Sequence, residues 1–338
     1  MIKMRKWIPC ELHTHTVNSD GELTLTELAK KARDMGFSCI ALTDHNTISG
    51  HWERDKAQAE SGIDIVRGLE WTTFYGHMVA MGIDKYVDWR EIGPKDIDRG
   101  IANIHQAGGL AGVAHPFCMG SPMCTGCYWS YEIKDWSKVD YIEVWSEPFP
   151  SIEAKNIRAF RLWTDLLNQG YRLTAVSGRD WHGGDCGSDP VSVTYLGIEE
   201  DAKDMEKAVK EAIAGGRASL TMGPLLLMQA ELEKDSSLYA LGDIAYIKCR
   251  NQKAKVTVNI DYSVRKDKWS LDDADMSIAL FGNVGKLCEG KISRERSEIS
   301  FEVPLENLKW VRAELYGRMK NIDTMIAFTN PIYFEEGA

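Results

Sequence analysis

Residues 11–21 read Glu-Leu-His-Thr-His-Thr-Val-Asn-Ser-Asp-Gly and follow a short apolar run. If that run is a strand, its period of two sends His13 and His15 to one face and Thr14 to the other. Asp20 lies in the turn behind them, so two imidazoles and a carboxylate gather at one strand end. This is half of a metal site, and later segments supply more of the same chemistry. Asp44 and His45 close an apolar run at 40–43, Glu70 closes one at 63–69, and His77 opens one at 76–82. His115 closes 110–114, and Asp180 and His182 follow the run that starts at 173. Six of the eight His in the chain stand at these positions. Any one motif alone reads equally well as a hydrogen-bonded structural residue. Together, histidine and carboxylate at successive strand ends suit zinc, manganese or iron.

Length fits one large or two moderate domains, at 338 residues. A formal charge of −10 argues against a general nucleic-acid binder, whose footprint is basic. No run of apolar residues is long enough for a transmembrane helix, so no membrane contact is expected. The basic N-terminus lacks the apolar segment of a signal peptide. Eight Cys are scattered, and Cys39, Cys249 and Cys288 lie inside apolar runs, as reduced core thiols do. A cytoplasmic protein is expected.

Up to residue 223 short apolar runs alternate with helical-period segments. Strands are expected at 38–42, 63–69, 77–82, 110–114, 141–145, 171–176, 191–197 and 217–221, with helices at 24–35, 50–60, 95–107, 152–168 and 201–214. Thr24 with Glu27 makes a capping box, and Gly36 a stop. Repeated strand–helix units predict parallel strands, and polar groups at their C-terminal ends predict a β/α barrel. After Met222, Gly223 and Pro224 helical periodicity vanishes. About seven strand-like runs (225–232, 244–250, 253–263, 276–282, 297–304, 310–317, 324–334) predict a β-sandwich. The boundaries are therefore a catalytic unit at 1–223 and an accessory unit at 224–338. The latter contains no His, which leaves it packing, assembly or substrate-shaping roles.

These motifs, His-Thr-His…Ser-Asp-Gly, Thr-Asp-His-Asn, Gly-x-Glu, Ala-His-Pro and the late Asp-x-His, resemble the four-motif signature of PHP (polymerase and histidinol phosphatase) domains over about residues 8–222. The resemblance implies a distorted seven-stranded β/α barrel that holds two or three divalent metals (zinc, manganese or iron) and hydrolyses phosphate esters. The short intervals between motifs, the segment 216–224 and the added β-domain resemble the branch named for carbaryl-type carbamate hydrolases. Carried over by motif, one metal takes His13, His15, Glu70 and Asp180. A second shares Glu70 and adds His77 and His115. A third takes Asp20, His45 and His182, with Asp20 standing where some relatives have His.

Clustered cations acidify a bridging water and neutralise charge on the ester oxygens, so no Ser or Cys nucleophile is needed. Asp44 is a candidate for proton handling, or alternatively a partner that orients a ligand His. Arg179 replaces a smaller residue of many relatives. Its guanidinium is expected either to grip an anionic substrate or to pair with an acid such as Asp185. Cys118, Cys124, Cys127 and Cys186 allow a structural zinc, against the simpler reading of an active-site lid. Trp71, Trp129, Trp145 and Trp181 stand near the motifs as core, wall or stacking platforms. His51 and His105 fall in helical segments and are read as structural.

The expected function is hydrolysis of a small-molecule ester, phosphorylated, by a metal-dependent phosphoesterase. A carbamate or carboxyl-ester hydrolase on the same cluster is the alternative enzyme. A non-catalytic metal-binding module is the alternative of another class. Substrate, native metal and any homo-oligomer stay open.

Overall fold

A computed structural model describes residues 5–120, 126–184, 187–234, 236–247 and 249–337. The expectations resting on Cys124, Asp185 and Cys186 lie outside those residues. The fold is mixed α/β with strands predominating. Its elements are β1 (Arg5–Thr14), α1 (Leu25–Asp34), β2 (Cys39–Leu42), α2 (Arg54–Ser61), β3 (Asp64–Thr73), β4 (Gly76–Met81), α3 (Ile97–Gln106), β5 (Leu110–Val113), β6 (Tyr141–Ser146), α4 (Ala154–Gln169), β7 (Thr174–Gly178), β8 (Val193–Glu199), α5 (Met205–Ala214) and β9 (Ala218–Thr221). Ten more strands follow: β10 (Leu225–Leu232), β11 (Leu238–Ala240), β12 (Ile244–Ile247), β13 (Lys253–Asp261), β14 (Met276–Gly282), β15 (Gly285–Ile292), β16 (Glu298–Pro304), β17 (Trp310–Met319), β18 (Ile322–Thr329) and β19 (Ile332–Glu336).

Local chemistry sets the element ends. The Thr24–Glu27 capping box forms as expected at the start of α1, and Leu25, Leu28, Ala29 and Ala32 bury one face of it. Helix α2 starts later than its periodicity suggests, because Ser49–Glu53 coils into a tight 3₁₀ turn first. No helix among the described residues is long and apolar enough to cross a membrane.

A hydrogen-bonded ladder runs β9-β8-β1-β2-β3-β4-β5-β6-β7 within one large sheet. Pairings β1–β2, β2–β3, β5–β6 and β6–β7 are parallel. The expectation of parallel strands throughout is corrected by β3–β4, β4–β5, β1–β8 and β8–β9, which are antiparallel. Only Phe74 and Tyr75 connect β3 to β4, too short a link for a crossover, so those strands form a hairpin. Beyond the end of β7, Trp181 makes a parallel bridge to Thr14 of β1.

The ladder continues past residue 223, because β9 pairs with β18. The run 324–334 is two strands, broken at Asn330–Pro331. The half-exposed β15, which carries Lys286, Glu289 and Lys291, gave no alternating apolar signal and was not anticipated. Strands β11-β10-β13-β16 make a separate four-stranded sheet. Its Met228, Ala230, Val256 and Val258 share one apolar core with Leu315 and Phe328 of the large sheet and with Trp145 and Trp163.

Candidate metal centre

A β-bulge prepares the first motif. Glu11 is opposite Ile40, but Thr14 is opposite Leu42, so β1 holds one extra residue between them. Leu12 keeps its place in the apolar core while His13 joins the polar end. Thr14 is pinned to the neighbouring strand through Oγ1 to the Ala41 carbonyl, 2.7 Å. Glycine is required twice here. A Cβ on Gly21 would lie 2.4 Å from the His15 carbonyl oxygen, and one on Gly178 2.5 Å from Cβ of His13.

The separate strand ends meet around Glu70. Its Oε1 lies 2.9 Å from His77 Nδ1 and 3.1 Å from His115 Nε2. Its Oε2 lies 2.7 Å from His45 Nδ1, 3.4 Å from His13 Nε2 and 3.6 Å from His15 Nε2. Asp180 Oδ1 approaches His15 Nε2 at 2.9 Å and His13 Nε2 at 3.3 Å. Asp20 Oδ1 sits 3.3 Å from His45 Nε2 and 3.2 Å from His182 Nε2, and the His15 ring stacks against both of those imidazoles. All nine candidate ligands thus converge.

Ligand atoms within 4.8 Å of one another fall into three groups: His13, Glu70, His115 and Asp180; His15, Asp20, His45 and His182; and His77, His115 and Cys127. This grouping moves His15 toward Asp20 and brings in Cys127, unlike the carried-over assignment. His13 Nε2 is buried without a hydrogen-bond partner although two carboxylates stand beside it. An orphaned ring nitrogen facing the buried Glu70 and the partly exposed Asp180 is what a cation would satisfy, and the N/O donor set suits zinc, manganese or iron.

Several residues stand differently from expectation. Asp44 is buried and spent on the loop that carries Asp20. Its Oδ1 accepts from Thr16 N and Ser19 Oγ, both at 2.7 Å, and its Oδ2 from Thr16 Oγ1 at 2.8 Å. It therefore braces a ligand loop, and its described hydrogen bonds go to Thr16 and Ser19 where a ligand His was expected. Arg179 turns away from the imidazoles. Nε pairs with Glu11 Oε2 at 2.6 Å, both groups are buried, and the guanidinium stacks 3.9 Å over the Trp181 ring. That buried pairing with Glu11 argues against the substrate-gripping role, while the alternative partner Asp185 lies outside the described residues. Trp71, Trp145 and Trp181 are buried core residues. His51 bonds the Gly68 carbonyl and His105 pairs with Asp140, both outside the cluster.

Glu143 was missed. Its Oε2 takes His13 Nδ1 at 2.7 Å, with both side chains buried. A lone Glu inside the apolar run of β6 was its only sequence signal. Cys127 has a neighbour that was not anticipated: its Sγ lies 3.5 Å from His115 Nδ1. It also bonds Cys118, which holds the Cys118 thiol down at about 6.

Metal-free electrostatics follow from this packing. Burial pulls His115 down, but the Glu70 hydrogen bond and the charges of Asp180 and Glu143 outweigh it and raise the ring to about 9. Burial likewise opposes the rise of His13, which Glu70, Glu143 and Asp180 win. Burial does prevail at His15, lowering it to about 4. Glu70 and Asp180 are held well below the usual carboxylate range, their imidazolium neighbours overcoming burial. A raised histidine stabilises fully below its unfolded pKa of about 6.5 and loses that stability as pH climbs through its folded value. His15 works oppositely, since below about 6.5 the unfolded chain takes a proton that the folded site refuses. The depressed carboxylates add to the loss in acid. Chelator-treated protein is therefore expected to melt highest near pH 6–7, with the melting temperature falling toward pH 9 and toward pH 4. A flat profile between pH 6.5 and 9 contradicts this electrostatic account.

Fold and site together define an α/β protein with a buried histidine–carboxylate centre at its strand ends. Residues 11–106 match the family model of the PHP domain. The chain carries a PHP domain. A 5'-3' exoribonuclease of Haemophilus influenzae is 39% identical over 79 residues, which is 22% of this chain and 29% of that protein. A 3',5'-nucleoside bisphosphate phosphatase of Chromobacterium violaceum is 36% identical over 94 residues, 27% of this chain and 33% of that one. The chain thus aligns with about a third of the length of these relatives. A two-domain protein from Bacteroides vulgatus, described as containing a predicted PHP-like metal-dependent phosphoesterase, has a similar fold: TM-score 0.53 over 97% of this chain and 96% of that one, at 14% identity.

Proposed function

We propose that the protein is a metal-dependent phosphoesterase acting on a small phosphate ester. The observation that carries this is the pair of carboxylates, buried Glu70 and partly exposed Asp180, beside a His13 Nε2 that is buried without a hydrogen-bond partner. His13, Glu70, His115 and Asp180 would hold one ion; His15, Asp20, His45 and His182 a second. When bound, such ions acidify a coordinated water and neutralise the charge that develops on the phosphoryl oxygens. Glu143 keeps the His13 Nδ1 proton, so that Nε2 faces the cluster. Exposure grades across the site: the side chain of Glu70 is 0% exposed, that of His182 35% and that of Asp20 59%. Substrate therefore approaches from the Asp20–His182 side. In this reading β1 to β7 form the barrel, with the Thr14–Trp181 bridge drawing its ends together, and residues after 223 form the accessory unit.

The phosphatase and exoribonuclease relatives support a phosphorylated substrate. The test is a substrate panel on protein reloaded with manganese, zinc or iron(II): an aryl phosphomonoester, an aryl phosphodiester, a nucleoside 3',5'-bisphosphate, a short RNA, an aryl ester and an aryl carbamate. Phosphomonoester turnover that chelation removes is the expected result. Turnover of the carbamate or carboxyl ester alone would select the other enzyme reading. No turnover at full metal occupancy would select the binding module.

A further inference from the structure

Two arginines meet beside the ligand segment 180–182, and one of them comes from beyond residue 223. The guanidinium of Arg179 lies 3.9 Å over the Trp181 ring and 5.6 Å over that of Phe37. Arg265, in the loop between β13 and β14, lies 4.9 Å over the same Phe37 ring. Phe37 is buried, so it offers both cations a fixed aromatic surface.

Met35 is their second shared contact. It ends α1, and its carbonyl accepts from Arg265 Nε at 3.1 Å and from Nη2 at 2.9 Å. Carbonyls at that end lack partners within the helix, and a cation there also offsets the negative pole of the helix dipole. The Met35 sulfur lies 3.9 Å from both Nη1 and Nη2 of Arg179. Burial and the charge of Arg179 lower the Arg265 guanidinium, against Tyr195 and Glu11, so the two cations sense each other.

Backbone geometry serves this approach. Arg265 has φ +45°, in the left-handed region that residues other than glycine rarely adopt. Gly36 has φ +84°, and a Cβ on it would stand 3.2 Å from Arg265 Cγ and Nε. On the other side the contacts lead into the ligands. Trp181 N donates to the His13 carbonyl at 3.0 Å, and His15 N to the Trp181 carbonyl at 2.8 Å. Arg179 N and Nε hold Glu11 at 2.9 Å and 2.6 Å, and Glu11 Oε1 also accepts from His13 N at 3.4 Å.

We propose that Arg265 is a positioning residue of the metal centre: by gripping Met35 and Phe37 it keeps Arg179 on Trp181, and so fixes the segment that presents Asp180 and His182. This role rests on the phosphoesterase reading, in which both are ligands, and it gives the residues after 223 a share in that centre. The plain alternative is that Arg265 only caps α1 and joins two parts of the fold.

Arg265→Met keeps the stem beside Gly36 and removes the cation with its donors; Arg265→Lys restores the charge and one bond. Arg312→Ala is the structural control, because its described contacts lie with Glu314, Thr164 and other aromatic rings. Hydrogen exchange of the metal-free full chain is expected to quicken at the His15 and Trp181 amides in Arg265→Met and not in Arg312→Ala. Competition with a chromophoric chelator is expected to show zinc affinity weakened by about tenfold, the lower end for residues that orient ligands, and largely recovered in Arg265→Lys. A lower melting temperature with exchange and affinity unchanged makes Arg265 a cap alone and overturns the role. Quicker exchange with unchanged affinity, or equal losses in Arg312→Ala, overturns it as well. If Arg265→Met does not fold, Arg265→Gln is read in its place, since it keeps a donor for Met35 without the cation. Neither readout needs turnover. Both moving as expected in a chain that hydrolyses no ester sinks the phosphoesterase reading alone, and hydrolysis with neither moving sinks this role alone.

Discussion

Glu70→Gln is expected to strip the centre of its ions and lower metal-dependent kcat/KM by about 10²–10³-fold or more, the scale of losing one preorganised charge-stabilising group. Five of the six motif histidines lie within 3.6 Å of its two oxygens: His13, His15, His45, His77 and His115. An amide keeps one acceptor and replaces the other with a donor, which repels any imidazole that must hold its own proton toward it. The formal charge that offsets a divalent ion is also lost, so the substitution acts on affinity and on chemistry together. Metal content by mass spectrometry and kcat/KM on the best phosphomonoester are the two readouts. Full stoichiometry with more than half the activity would show that Glu70 merely fills space between imidazoles. Asp20→Asn is the graded contrast. Among the described residues Asp20 pairs with His45 and His182, and it is largely exposed, so water can replace part of its role and the loss is expected to be smaller.

How much of this was legible depends on the range over which each residue's role is set. His13 and His15 could be paired from sequence because a strand's two-residue period decides the matter locally. Glu70, His115, Asp180 and His182 were legible because each closes an apolar run, and strand ends in such units share one face. Glu143 was not, since a single acid inside Tyr141-Ile-Glu-Val-Trp-Ser gives no hint that His13, far away in the chain, will meet it. The pairing of Arg179 with Glu11 was not legible for a related reason. The bulge after Glu11 breaks strict alternation, and the buried acid that captures the guanidinium lies 168 positions away. Asp44 looked like a proton carrier because it precedes a ligand, whereas the loop at Thr16 and Ser19 folds back onto both its oxygens. The strand content after residue 223 followed from apolar alternation. The β9–β18 pairing did not, because register between distant strands is set by tertiary packing.

Arg312→Ala is expected to destabilise the protein by about 3–5 kcal/mol, the usual consequence of orphaning one partner of a buried ion pair. Arg312 on β17 is buried, and burial lowers its guanidinium despite the neighbouring Glu314. Nε meets Glu314 Oε1 and Nη1 meets Thr164 Oγ1 of α4, each at 2.8 Å. The cation sits 4.3 Å over Phe160, 5.1 Å from Trp163 and 5.2 Å from Trp310, so aromatic faces replace lost hydration. Tyr316 hydroxyl donates to the other Glu314 oxygen. This cluster joins α4 to the C-terminal strands, and the buried Asn330 makes a second tie through Ala175 and Ala218. Truncating Arg312 leaves Glu314 in the core with the Tyr316 hydroxyl as its hydrogen-bond partner among these groups, and opens a cavity beneath Phe160. A melting temperature lower by roughly 5–10 °C is expected, scaled down from the values for smaller domains. Arg312→Met combined with Glu314→Leu should recover most of the loss, because removing both charges also removes the cost of burying them. If the double variant is as unstable as Arg312→Ala, the stability lies in the stacking of the guanidinium on its aromatic cage and not in satisfying Glu314. None of the hydrogen bonds described for this cluster reaches a candidate ligand, so either variant should keep kcat/KM unchanged below its melting range.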